Sequence, residues 1–325
     1  MERTGAYLIP GTDFRVAIDL AQRAEAWGYE SLWVTHGYGR DSFLVLSAYT
    51  QATRSIGLGT GVVPIYPRHP VALVQEALTL AELSGGRFRL GIGVSHRPTM
   101  EGGLGLDMGK PLEVMREYVA ILRASLAGRA EHNGARYRVN WTSGLPRLPG
   151  PPPILLAGLS AKMLELSGEI ADGAVLWLCA PTYIREIAIP AIARGRQKVG
   201  KSLEGFEVAA AVPVALTDEV EATSALFKEE LTRYLALPFY RAMLTASGFG
   251  EDLAAFDSEK PHHPSPGRAV PDSLCRALSG IGNPNVLRDF VAAHREAGVT
   301  LPAVRPIGFP EASHYRPTIE AMAPH

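Results

Sequence analysis

The chain has 325 residues, of which 46% are hydrophobic and 20% charged, with a formal net charge of −1. That length suits one large barrel or two average domains with a sizeable core. The near-neutral balance gives no reason to expect nucleic acid or a membrane surface as partner. Cys179 and Cys275 stand far apart, which argues against a disulfide framework or zinc site and fits a reducing cytoplasm. No basic leader precedes the first apolar run, so no signal peptide is expected. No apolar stretch reaches the roughly 20 residues that a membrane helix needs.

Thr4–Ile9 reads as a first strand. Asp13 caps a helix that runs to Trp27 and stops at Gly28. Ser31–Thr35 is a second strand ending at His36, and Asp41 or Ser42 caps a helix to about Thr53. Ile56–Val63 carries Gly57, Gly59 and Gly61 at every second position, so one face of this third strand is pressed closely by something else. Val71–Leu83 has helical spacing, and Phe88–Val94 is a fourth apolar strand. Strand, crossover helix and strand make one unit of a parallel sheet. Residues 95–111 form a glycine-rich loop too long for a simple turn. Leu112–Leu126 is helical.

The rhythm breaks at Arg129–Pro153, where Asn133-Gly134 suggests a small hairpin. Ile154–Leu156 is a fifth strand. Gly158-Leu159-Ser160 turns into a helix through Ala171, with Ser160 as its cap. Gly173–Leu178 and Phe206–Leu216 are the sixth and seventh strands. Between them lies a helix over Pro181–Val199, interrupted at Pro190. Asp218–Leu235 reads as the helix of the seventh strand, and Leu237–Leu278 as an insertion over one end. A helix over Asn285–Ala297 leads to an eighth strand, Leu301–Ile307, and a last helix. Eight strands alternating with helices predict an α/β fold, a (β/α)8 TIM barrel with insertions at about 129–153 and 237–278, as a single domain over 1–325. An open doubly wound sheet is the alternative, but Pro10-Gly11-Thr12 lacks its glycine spacing.

SLWVTHGYGRD (31–41), IGLGTGVVPIYPRHP (56–70) and FRLGIGVSH (88–96) resemble the bacterial-luciferase-like superfamily. So do PPPILLAGLSAKMLELSGEIADGAVLW (151–177) and AGVTLPAV (297–304). The likeness is strongest to the branch that binds the deazaflavin coenzyme F420 rather than FMN. It implies a luciferase-like barrel with a flavin-type ring at the C-terminal strand ends. It also implies a non-prolyl cis peptide at Gly61-Val62 against one ring face.

By the same resemblance, His36, Thr60, Gly61, Val62, Gly93, Val94 and Ser95 contact the cofactor. Ala157, Gly158, Leu159 and Ser160 hold its phosphate, and a glycine turn entering a helix N-terminus does offer unpaired donors to an anion. The branch usually carries Asp-His where this chain has Thr35-His36. His96 falls where a sugar-phosphate dehydrogenase of the branch has a glutamate, which implies a different substrate.

His36 and His96 are the candidates for proton transfer, since imidazole titrates near neutral pH. Bland readings stand beside these. Gly57 and Gly59 can serve barrel packing alone, Glu101 can be a solvated carboxylate, and Arg68-His69 can simply start a helix. His262 and His263 read as an exposed loop, so no metal is expected. The expected activity is hydride exchange between F420 and a small organic substrate. FMN-dependent oxygenation is the alternative, and a non-catalytic flavin-binding protein is the second. A homodimer is expected from the resemblance only.

Overall fold

Side-chain caps punctuate the chain where the sequence places them. Asp13 accepts from the Arg15 N–H at the head of Phe14–Ala26, and Asp41 from Phe43 and Leu44 at the head of Ser42–Ala52. Asn283 caps Pro284–Glu296 in the same way. Gly28 ends the first helix with φ +80°, a left-handed value that glycine adopts without a Cβ penalty.

The computed structural model describes residues 2–37, 39–145 and 150–324. Tyr38 and Pro149, both inside segments read above, lie outside them.

Eight parallel strands close on themselves. They are Gly5–Tyr7, Ser31–Val34, Gly57–Thr60, Phe88–Gly93, Ile154–Ala157, Gly173–Trp177, Glu207–Leu216 and Leu301–Pro306. The first pairs with the second and the eighth, and the seventh pairs with the sixth and the eighth, so no edge is left among these strands. This is a (β/α)8 TIM barrel.

Alternation along each strand stacks the barrel interior in layers. Trp33, Leu155, Val175, Ala209 and Ala303 form one buried interior cluster, which Tyr7 and Trp177 extend towards the C-terminal end. The indole of Trp33 fits because glycine faces it. A Cβ at Gly59 would lie 2.6 Å from its ring, and one at Gly5 would lie 3.2 Å from its Nε1. Gly57 makes room for Arg89 in the layer below, and Gly61 for Tyr7 in the layer above. The glycine face of the third strand is therefore packed by the protein's own side chains.

Four local findings depart from the sequence reading. The third strand stops at Thr60, and Val63–Pro64 resumes pairing with Ile92–Gly93 after a bulge. Residues 98–103 of the glycine-rich loop wind into a π-helical turn, in which the Leu104 N–H reaches back five residues to the Thr99 carbonyl at 3.1 Å. Pro190 opens the helix Ile189–Lys198, after a π-turn over Ile184–Ala188. A short strand, Gly280–Gly282, pairs with the outer half of the seventh strand beyond the end of the sixth.

The hairpin Arg129–Asn133/Arg138–Thr142 forms as read. The helices that pack on the seventh and eighth strands are Pro284–Glu296 and Tyr315–Ala321. Val220–Leu235 instead belongs with Pro238–Ala246 and Pro266–Ala269 in an excursion that reaches the barrel mouth.

Candidate active site

The mouth is built from strand ends. Between Thr60 and Val63 the Gly61-Val62 peptide is cis, as the resemblance implies. The Gly61 N–H donates to the Val34 carbonyl (2.8 Å), which ties the bulge to the second strand. Thr60 Oγ1 brackets Gly91, accepting from its N–H (2.9 Å) and donating to its carbonyl (2.8 Å). Val62 then lies over the neighbouring strands. A Cβ at Gly93 would fall 2.9 Å from Val62 Cγ2 and 3.2 Å from Ala157 Cβ, and one at Gly91 would fall 3.1 Å from Val62 Cγ1. Thr60, Gly61, Val62, Gly93 and Ala157 thus come together as one shoulder, and it exists because residues 91 and 93 have no side chains.

Exposure differs among the residues around this shoulder. Gly61, Val62, Val94, Ser95, His96, Ala157 and Trp177 keep partial exposure, whereas Tyr7, Cys179, Tyr240 and Arg305 are buried. Ser95 takes φ +58°, an uncommon backbone for a non-glycine residue that turns the chain at the rim.

The fifth-strand corner runs into a capped helix N-terminus. Ser160 caps Ala161–Ile170 by accepting from the Met163 N–H at 3.2 Å. The backbone N–H groups of Leu159, Ser160, Ala161 and Lys162 have no acceptor among the described residues. The Leu159 carbonyl is taken by the Tyr183 hydroxyl. Helix N-termini present such donors together with the positive end of the dipole.

The two histidines sit in different surroundings. His36 Nδ1 meets the Ser42 hydroxyl at 3.1 Å, and Arg68 reaches its Nε2 at 3.3 Å. Nδ1 also accepts from the Ser42 backbone N–H at 3.2 Å, and Arg68 can only donate to Nε2, so donors face both nitrogens and favour an uncharged ring. Burial lowers the His36 pKa, the Arg68 guanidinium lowers it further, and Asp41 opposes. Arg68 is fixed by Asp41 (2.8 Å) and Glu76 (3.1 Å), so it serves both the helix start and His36.

His96 has no hydrogen bond to its ring among the described residues. Burial lowers its pKa too, and its ring lies 5.6 Å from that of Tyr240. Glu101 is taken by Arg97 and the Met108 N–H, so it orders the loop over the fourth strand.

Sequence reasoning missed the far wall. Arg305 pairs with Glu230 through two hydrogen bonds of 2.8 and 2.6 Å, and its guanidinium lies 5.1 Å from the Trp177 ring centroid. Trp177 meets Tyr234 at 5.9 Å, and Tyr234 meets Tyr240 at 4.8 Å. Burial pushes Tyr7, Tyr234 and Tyr240 up, so all three stay protonated near neutrality, with the Thr35 hydroxyl opposing at Tyr7. One signal for this wall was available. In LPAVRP a lone arginine stands in phase with Leu301 and Ala303, which marks it as facing inward.

Two surface clefts lie elsewhere. One runs between Val220–Leu235 and Asp272–Arg276, the other between Pro111–Leu126 and Ala161–Ile170. Among the described residues no helix is long and apolar enough to cross a membrane, and no cluster of three metal-ligating side chains occurs.

Comparison with known proteins agrees with the barrel. The 5,10-methylenetetrahydromethanopterin reductase of Methanolobus tindarius is 28% identical over 312 residues, 94% of each chain. The coenzyme F420-dependent tetrahydromethanopterin reductase of Methanopyrus kandleri superposes with a TM-score of 0.83 at 23% identity, covering 99% of this chain and 98% of that one. An F420-dependent secondary alcohol dehydrogenase, solved with an F420–acetone adduct, superposes at 0.81 with 16% identity, over 99% and 98% of the two chains. The profile of the family described as luciferase-like monooxygenase matches residues 1–301, and the chain belongs to that family.

Proposed function

We propose that the chain is an F420-dependent oxidoreductase acting on a small organic molecule at the barrel mouth. The observation that carries this is the shoulder of Gly61 and Val62 over Gly91, Gly93 and Ala157. It sets a backbone bulge and the Val62 side chain next to a helix N-terminus whose four N–H donors have no acceptor among the described residues. Those two features fit a planar tricyclic ring with a phosphate-bearing tail. The F420-dependent enzymes of the same fold support the choice of cofactor.

When bound, F420 supplies two-electron hydride chemistry, and the protein supplies binding and orientation. Residues 60–62 and 93–95 would hold the ring, and 157–160 its phosphate. His96 is the better placed proton handler, because its ring is uncommitted while that of His36 is taken by Ser42 and Arg68. His36 fixes the rim by joining the second strand end to Arg68.

The test is an anaerobic titration of the purified protein with F420 and with FMN, followed by turnover with candidate alcohols and carbonyl compounds. Binding of F420 with reversible bleaching on substrate addition is expected. Tight FMN binding with none for F420 would replace this reading by the oxygenase alternative. F420 binding without any turnover would favour a non-catalytic flavin-binding protein.

A further inference from the structure

The excursion over residues 220–278 closes one side of the mouth with a wall that has no counterpart on the shoulder side. Glu230 and Tyr234 come from Val220–Leu235, Tyr240 from Pro238–Ala246, Trp177 from the sixth strand and Arg305 from the eighth. The wall is aromatic across its width, through ring contacts from Trp177 to Tyr234, Tyr240 and His96. Its inward cation, Arg305, is paired. Arg305 presents both terminal nitrogens to the two Glu230 oxygens, and the pair keeps 9% and 21% of its side-chain exposure.

Tyr240 is 4% exposed, and its hydroxyl has no hydrogen-bond partner among the described residues. The groups that act on it electrostatically are Tyr234, Cys179 and Tyr7, none of them ionised near neutrality. The Tyr240 hydroxyl oxygen keeps a little solvent access, so it is open to a ligand's oxygen.

We propose that this wall selects an uncharged aryl or alicyclic substrate, with Glu230 masking Arg305 and the Tyr240 hydroxyl donating to the substrate's oxygen. The inference rests on reading the mouth as the substrate chamber. It gives Glu230 a specificity role, because removing its charge would turn the wall into a receptor for carboxylates.

Benzamide and benzoate test this, being alike in shape and different in charge. Calorimetry on the cofactor-free full chain should show benzamide binding at least about tenfold more tightly than benzoate. Glu230→Gln should reverse the preference, as a freed arginine pairs with the carboxylate. Tyr240→Phe should weaken benzamide by about three- to tenfold, the range of one hydrogen bond.

Glu230→Gln leaves a buried arginine without its partner, so the double variant Glu230→Leu with Arg305→Met is the safeguard should the single one fail to fold. It should keep benzamide and still refuse benzoate. Equal binding of the two probes by the unmodified chain, binding of neither, or indifference of benzamide to Tyr240→Phe would overturn the proposal. So would benzoate preference in the double variant. A parallel F420 titration separates the two readings. Benzamide selectivity without F420 binding sinks the cofactor assignment alone, and F420 binding without selectivity sinks the wall alone.

Discussion

Arginine–glutamate pairs sit at both ends of this barrel under opposite conditions. At the floor, Arg89 reaches Glu30 and Glu207, and Arg3 reaches the same two carboxylates from the other side. All four belong to the barrel strands or the residues beside them, so the quartet needs no residue from outside the barrel, although Glu30 Oε2 and Glu207 Oε1 accept no hydrogen bond among the described residues. At the mouth, Arg305 depends on Glu230, delivered by the excursion. The floor can serve only the fold, whereas the charge state of the mouth can be reset by changing one residue outside the barrel. In this architecture the N-terminal face carries stability and the C-terminal face carries chemistry.

The strongest way to break that contrast is Arg89→Met. It leaves two carboxylates facing Arg3 alone in a partly buried site. A loss of about 3 kcal/mol is expected, at the lower edge of the range for a broken buried pair because the groups keep some solvent. Denaturant melts should show it, while the folded protein keeps its F420 affinity. Unchanged stability with lost binding would erase the distinction between floor and mouth.

Between the two ends lies Trp33. Gly59→Val places a branched side chain where a Cβ alone already falls 2.6 Å from the indole. Overpacking of this kind costs about 1–3 kcal/mol. Trp33→Phe should recover part of the loss when combined with Gly59→Val, giving a measurable coupling in the double-mutant cycle. Strict additivity would mean that the interior layer is looser than the contact implies.

Acid should separate the two ends in order. His36 and His96 at the mouth, and His294 behind it, have pKa values lowered by burial from 6.5. The unfolded chain therefore binds protons first, and stability present above about pH 6.5 is lost as pH falls through the lowered values. At the floor, burial opposes ionisation of Glu30 but Arg89 and Arg3 outweigh it, so its pKa is lowered from 4.5. That contribution fades only below about pH 4.5. Melts at pH 7.5, 5.5 and 4 should show two successive losses, and His294→Gln should shrink the first. Stability flat between pH 7.5 and 5.5 would show that the histidines protonate freely in the fold.

What the sequence disclosed follows the same division. The shoulder was legible because its signals are local. Alternate glycines, a glycine turn and a serine cap each act within a few residues. The floor was not, because Arg3 and Glu207 are 204 positions apart and meet only when the barrel closes. The far wall was hidden for another reason. Val220–Leu235 has the periodicity of any amphipathic helix, so nothing in it distinguishes a barrel helix from one laid across the mouth. Glu230 and Tyr234 acquire meaning only opposite Arg305 and Trp177. Gly57 and Gly59 were read correctly as crowded positions, but the crowding comes from Arg89 and Trp33.

The smallest expected effect probes the shoulder's anion corner. Ser160 has two separable properties there. Its hydroxyl caps Ala161–Ile170, and its uncharged state leaves the neighbouring N–H groups open to an anion. Ser160→Ala removes the cap and should cost about 1 kcal/mol. Ser160→Asp restores a cap and suits the helix dipole, so stability should return to that of the original chain. Its carboxylate, however, occupies the electrostatic place of a phosphate. F420 affinity measured by fluorescence should then fall further in the aspartate variant than in the alanine one, although the aspartate variant is the more stable. Affinity that simply follows stability across the two variants would mean that residues 157–160 hold a helix end and not the cofactor's tail.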